Sequence, residues 1–224
     1  MKTRRGAGTA AALLALGLVP IAGGVLRLLQ LSGGPALIEA DARFDSVPGP
    51  IAVHVVASLI FAALGPAQFV PALRRRSWHR RAGRVVAGAG LLAAITALWL
   101  TLAYERADGT GDLLYVVRLV FGAAMGAALV LGVRAILRRD VTAHRAWMIR
   151  AYALGLGAGT QAVTQGVGPA LIGEGVLQTD LEYAAGWLVN LVVAEVVIRY
   201  PGWNARRRRR AAVPRTGATV GAAR

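Results

Sequence analysis

The chain has 224 residues, 56% of them hydrophobic and 28 of them glycine, with a formal net charge of +15 and a mean hydropathy of +0.53. So apolar a composition exceeds what a soluble domain of this length carries, and a core exposed to lipid is the reading that fits. The absence of cysteine excludes a disulfide framework, a thiolate metal site and a cysteine nucleophile.

Six stretches approach the roughly 20 mostly apolar residues that a helix needs to cross a hydrocarbon layer about 30 Å thick. The first is Ala10 to Leu29, behind Lys2, Arg4 and Arg5. A basic start, an apolar run and the small residues Ala22, Gly23 and Gly24 also describe a signal peptide. The run continues to Leu29, longer than a usual signal core, which favours an uncleaved transmembrane helix within residues 1–30. The other five are Ile51 to Leu73, Val85 to Tyr104, Leu113 to Leu137, Trp147 to Ile172 and Tyr183 to Ile198, a five-helix membrane domain over residues 51–200. Residues 201–224 hold Arg206 to Arg210 and then turn small and polar, which predicts a basic, disordered tail. Its arginines would hold to an anionic leaflet at about 1 kcal/mol each. None of the runs alternates with period two and each is too long for one strand, so helices are favoured over a barrel of strands. The expected fold is all-α: a polytopic membrane bundle of six transmembrane helices.

Threaded in this way, all but four of the 26 Lys and Arg residues (Arg27, Arg43, Arg106 and Arg118) fall on one side. All but Asp140 and Glu195 of the 11 acids fall on the other. The positive-inside rule then predicts a multi-pass protein of the cytoplasmic membrane with both termini cytoplasmic. Charge sorted so completely points to a bilayer and its anionic headgroups as the partner, not to nucleic acid.

Small residues at four-residue spacing let helices approach closely in lipid, and Gly122 with Gly126 and Gly155 with Gly159 supply it. A short internal repeat stands out beside them: Ser77-Trp78-His79-Arg80 and Thr142-Ala143-His144-Arg145, each in a basic loop before a helix. The hydroxyl residue stands where an N-cap would, which places each histidine at the second helical position and the two at one membrane depth. Two readings follow. In one, His79 and His144 are the two axial ligands of a single haem b, with Arg80 and Arg145 pairing its propionates. In the other, helix N-termini and guanidinium groups hold lipid phosphates.

His54, near the outer end of the second span, lies a helix length from the other two histidines and cannot serve the same iron. With Ser58, Gly65 and Gln68 it forms a polar, small face toward the bundle, suited to a quinone or redox partner, a proton relay or a buried polar neighbour. Arg118 sits more than a turn inside the fourth span at a similar depth, so the pair is expected to line one outer-facing cavity, unless Arg118 snorkels to Asp112 or the headgroups. Glu195 is the carboxylate deepest in an apolar run; it is architectural if paired with Arg150 or Arg84 and a proton relay if it is not. Gln161, Thr164, Gln165 and Gly168 line one face of the fifth span, either as a polar path or, the favoured reading, for interhelical hydrogen bonding. No P-loop, dinucleotide fingerprint, serine elbow or zinc helix is present, so hydrolase and nucleotide-driven functions gain no support.

The order of these motifs resembles a family of bacterial membrane proteins catalogued as domain of unknown function 2306. The matching elements are His54, Gly65-Pro66-Ala67-Gln68-Phe69, Arg74, His79-Arg80-Arg81-Ala82-Gly83-Arg84, the run from His144 to Tyr152, and Glu195, spanning about Ile51 to Tyr200. The resemblance implies no reaction. The His-Arg-x-x-Gly pattern at Arg80 and Gly83 is more distantly similar to cytochrome b561-type proteins, whose two haems use four histidines in four successive helices. Three histidines, none in the fourth span, leave room for one haem at most. Three functions therefore stand side by side: electron transfer through one bis-histidine haem, a transporter or lipid- or anion-binding protein using His54, Arg118 and Glu195, and a non-catalytic scaffold. Self-association into a homo-oligomer is compatible with all three.

Overall fold

The computed structural model describes residues 2–73 and 77–200. Arg74, Arg75, Arg76 and the basic tail read over 201–224 lie outside the described residues. Seven α-helices occur among them: α1 (Lys2–Leu31), α2 (Gly49–Gln68), α3 (Ser77–Ala103), α4 (Asp112–Leu137), α5 (Val141–Gly155), α6 (Gly157–Ile172) and α7 (Val176–Arg199). Five are long and apolar enough to cross a membrane, namely Ala7–Leu31 of α1 and the whole of α2, α3, α4 and α7.

The apolar runs mark hydrocarbon, not helix ends. α3 begins at Ser77, well before Val85, because Arg80, Arg81 and Arg84 are good helix formers whose charges can stay in headgroup water. α7 likewise begins at Val176, before Tyr183. α2 stops at Gln68, short of Leu73, in a stretch where Pro66 and Pro71 each remove a backbone donor.

The predicted fifth span is not one helix. Leu156 separates α5 and α6, of 15 and 16 residues. At a helix end the last carbonyls lose their intrahelical donors, and inside a bundle something else must satisfy them. Here α7 does so: Trp187 Nε1 donates to Leu154 O at 3.1 Å and Asn190 Nδ2 to Ala153 O at 3.0 Å. Asn190 Oδ1 in turn accepts from Thr160 Oγ1 at 2.7 Å, so one amide bridges both half-helices.

The start of α5 also differs from expectation. Asp140, not Thr142, is the N-cap, its carboxylate accepting from Ala143 N at 2.9 Å, so His144 is the fourth helical residue instead of the second. A carboxylate at that position gains from the helix dipole as well as from the hydrogen bond.

Each of α2 and α4 forms a tight hairpin with the helix that follows it, α3 and α5; α4 also packs on α3, and α7 packs on α4, α5 and α6. α1 closes the bundle against α2 and α6. Alanine and glycine dominate the contacts, with Ala57, Ala93, Ala94, Ala128 and Ala151 all buried. Large side chains such as Leu18, Trp99, Val120 and Val192 are more than half exposed, the inverse of a water-soluble protein and the pattern that lipid permits. Gly122 and Gly126 both face α3, toward Leu98 and Ala94. Gly155 and Gly159 do not form one surface: Gly155 meets Phe61 and Met125, whereas Gly159, beyond the break, meets the backbone of Leu16 in α1.

Candidate functional site

The bundle has a basic end, where Gly132 near the close of α4 meets His144 at the start of α5 and Glu195 near the end of α7 meets Arg150. At the opposite end α4 begins, and its N-terminus is capped from α7. Asp180, 1% exposed, accepts from Gly111 N at 2.9 Å and Leu114 N at 3.0 Å.

A cavity of about 550 Å³ opens among α1, α2, α3, α4, α6 and α7 toward this second end. Its walls are largely apolar and aromatic, including Ile21, Leu59, Phe121, Met125 and Trp187. Both His54 and Arg118 line it, and Gln161 and Tyr183 face it from α6 and α7. A volume of this size with a few convergent polar groups is typical of sites that hold small organic molecules.

Arg118 has no carboxylate within ion-pair distance among the described residues; the contact made by its guanidinium is with the Tyr183 ring, 5.5 Å from the centroid. Asp180, the acid closest in chain position on the facing helix, is occupied by two backbone amides. The other cavity arginines are differently placed. Arg43 is bound to Asp41 at 2.5 Å, Arg106 pairs with Asp112, and Arg27 donates to the Gln30 amide oxygen at 2.6 Å. Glu105 is the one carboxylate residue among those lining the cavity. Among the described residues Arg118 and Arg27 thus lack a carboxylate partner, and the lining carries more cations than its one carboxylate offsets, an arrangement that favours an anionic guest.

His54 is oriented by α3. Its Nδ1 lies 3.1 Å from Ala93 O and 3.0 Å from Thr96 Oγ1, while the Thr96 hydroxyl donates to Leu92 O at 2.7 Å. A carbonyl can only accept, so Nδ1 carries the proton. Nε2 then carries the lone pair and accepts from Ser58 Oγ at 3.5 Å, and both residues line the cavity.

The remaining sequence-selected residues lie elsewhere. Glu195 is held by Arg150 through two hydrogen bonds of 2.6 and 3.2 Å and by Arg199 at 3.1 Å, the paired alternative of the sequence reading. Arg150 also stacks on Trp147, 4.8 Å from the ring centroid. Gln68 packs toward Gly83 at the α2–α3 turn, its Nε2 buried without a hydrogen-bond partner among the described residues. His144 Nδ1 donates to Gly132 O at 2.8 Å, while Arg80 and Arg145 are exposed. α3, which carries His79, and α5, which carries His144, flank α4 without extensive contact with each other.

Asp180 and Trp187 carry much of this architecture and were not singled out in the sequence, where one reads as an outer-loop acid and the other as an apolar span residue. A signal for the His54–Arg118 pair was present. Each stands the same number of residues before a Leu-Arg-Arg run, Leu73-Arg74-Arg75 and Leu137-Arg138-Arg139.

Helices of this length, their lipid-facing exterior and the chamber between them define a polytopic helical membrane protein. Residues 51–198 match the family described as "Predicted membrane protein (DUF2306)", and the chain belongs to that family. The matched segment covers α2 to α7; α1, which closes one wall of the cavity, precedes it. No curated protein and no solved structure matches the chain.

Proposed function

We propose that this is a multi-pass protein of the cytoplasmic membrane, basic end and both termini inside, that binds an amphipathic organic anion in the cavity and moves it across the bilayer. The observation that carries this reading is the Arg118 guanidinium facing an apolar chamber without a carboxylate partner. Two further features support it. Leu156, Ala158 and Gln161 line the chamber at the break between α5 and α6, so the amide-rich N-terminus of α6 lies beside it, as in discontinuous transporter helices that meet anionic groups. The walls also offer rings and aliphatic side chains such as Phe121, Trp187, Ile21 and Leu59, which suits an organic ion better than phosphate.

The test is calorimetric titration of benzoate into detergent-solubilised protein, with methyl benzoate as the uncharged control. Binding of benzoate that drops at least tenfold in Arg118→Gln and is partly retained in Arg118→Lys is the expected result. Equal affinity in wild type and Arg118→Gln would sink the reading. Uptake of labelled benzoate into proteoliposomes then separates transport from binding alone.

A second reading, electron transfer through one haem b between His79 and His144 at the basic end, has one observation in its favour. The bond from His144 Nδ1 to Gly132 O orients the ring and leaves Nε2 available, the usual way a ligand histidine is held. Haem would supply one-electron chemistry there, with Arg80 and Arg145 near its propionates. A reduced-minus-oxidised spectrum of protein expressed with haem decides it: a sharp low-spin band lost in both His79→Ala and His144→Ala supports the ligands, and a featureless spectrum removes the reading.

A further inference from the structure

We infer that the guest is a carboxylic acid bound together with its proton, Arg118 holding the carboxylate and His54 Nε2 holding the proton; the inference rests on the anion-binding reading. Three features of the cavity lead to it. The single histidine lining the chamber is fixed as the Nδ1–H tautomer by Ala93 O and Thr96 Oγ1, so Nε2 is the one nitrogen acceptor on the imidazole, met within the protein by the Ser58 hydroxyl at 3.5 Å. Arg118, with no carboxylate within ion-pair distance among the described residues, lines the same chamber. The chamber walls are largely apolar, so an acid that arrives with its proton adds no net charge to them, whereas a bare carboxylate must be desolvated as an ion.

The proton balance is simple. An acid RCOOH entering the cavity gives its proton to Nε2 and becomes RCOO⁻ against the Arg118 guanidinium, with no net charge carried in. Equivalently, the anion binds from water and one proton is taken up from the medium. On release the imidazolium returns the proton, and the acid leaves with it. Bound acid and proton therefore travel as one neutral load.

The groups that surround His54 are compatible with such a role. α3 brings no ionisable side chain between Val85 and Ala103. α1 brings Arg27, and α5 lines the chamber with Leu154 and Gly155, neither of them ionisable. Across the cavity stand Arg118 and Tyr115 of α4 and Tyr183 of α7. The connecting segments add Arg43 with its Asp41 partner, Tyr104, Glu105 and Arg106 with its Asp112 partner. Ser58 is the polar neighbour on α2 itself, 3.5 Å from Nε2.

The experiment is calorimetric titration of benzoate at pH 7.5 and 8.5 in buffers of different ionisation enthalpy, which counts protons exchanged per ligand. Wild type should take up about one proton per benzoate bound, with affinity falling up to about tenfold over that pH unit. His54→Gln, which can still donate to Thr96 or Ala93, should bind benzoate with a proton count near zero and little pH dependence. Arg118-dependent binding without proton uptake in wild type, or with unchanged uptake in His54→Gln, overturns the inference and leaves the anion reading standing. No Arg118-dependent binding overturns both. A wild-type proton count near zero overturns the inference even if His54→Gln does not fold.

Discussion

Asp180 shows how a single carboxylate can join two helices. It sits on α7, yet its two oxygens satisfy amides at the start of α4, two of the donors that a helix N-terminus leaves open. Removing a capping acceptor costs about 0.5–2 kcal/mol, and leaving buried amides without any acceptor adds to that. Asp180→Ala is therefore expected to lower stability by about 2–4 kcal/mol in a denaturation series in detergent, with fraying centred on Gly111 to Leu114. A second carboxylate makes stability depend on pH. Asp41 lies in the loop between α1 and α2, where the hydrogen bonds from Arg43 hold its carboxyl below the ordinary aspartate range, outweighing the opposing effect of burial. A depressed carboxylate contributes stability that is present above its unfolded pKa and lost as pH falls through the folded one. The segment 41–48 should therefore open on acidification before the helices do, and amide exchange followed against pH should show the acid limb vanish in Asp41→Asn.

At the scale of elements, the break at Leu156 and the glycine contacts make separate predictions. Trp187 and Asn190 satisfy the carbonyls of Leu154 and Ala153, so Asn190→Leu leaves a polar group of the bundle interior without its donor. A loss of about 1–3 kcal/mol is expected, with exchange at Gly157 to Thr160 accelerating more than elsewhere. Glycines that look alike in sequence should respond differently. A methyl group at Gly159 would stand 2.3 Å from Leu16 O, a backbone atom that cannot swing aside, so Gly159→Ala should push α1 off α6 and cost about 1–3 kcal/mol. At Gly126 the same methyl meets Ala94 Cβ at 3.8 Å, ordinary contact, and Gly126→Ala should be neutral or gain up to about 1 kcal/mol from helix propensity. Equal effects at the two sites would show that the α1–α6 contact is not tight.

For the whole molecule, what the sequence by itself determined is the class of fold and the sorting of charge. Apolar runs long enough to span lipid, the placement of basic and acidic residues and the small residues along the helices are properties of composition and spacing, and the chain displays them without any tertiary contact. That His54 and Arg118 could line one cavity was legible from their similar distance along their helices, and both do line it. Partnership was not. Glu195 and Arg118 look equivalent in sequence, each a charge within an apolar run, yet Glu195 is neutralised by Arg150 and Arg199 while Arg118 faces a cavity. That difference depends on how far each helix is rotated about its axis, which is set by which glycines and alanines meet across the bundle. The same holds for the division of the fifth span at Leu156, because the carbonyls freed there are tolerable only where Trp187 and Asn190 of a distant segment arrive to satisfy them. Hydropathy in one dimension records where lipid lies; hydrogen bonds between helices far apart in the chain decide which polar residues are structural and which are left to act.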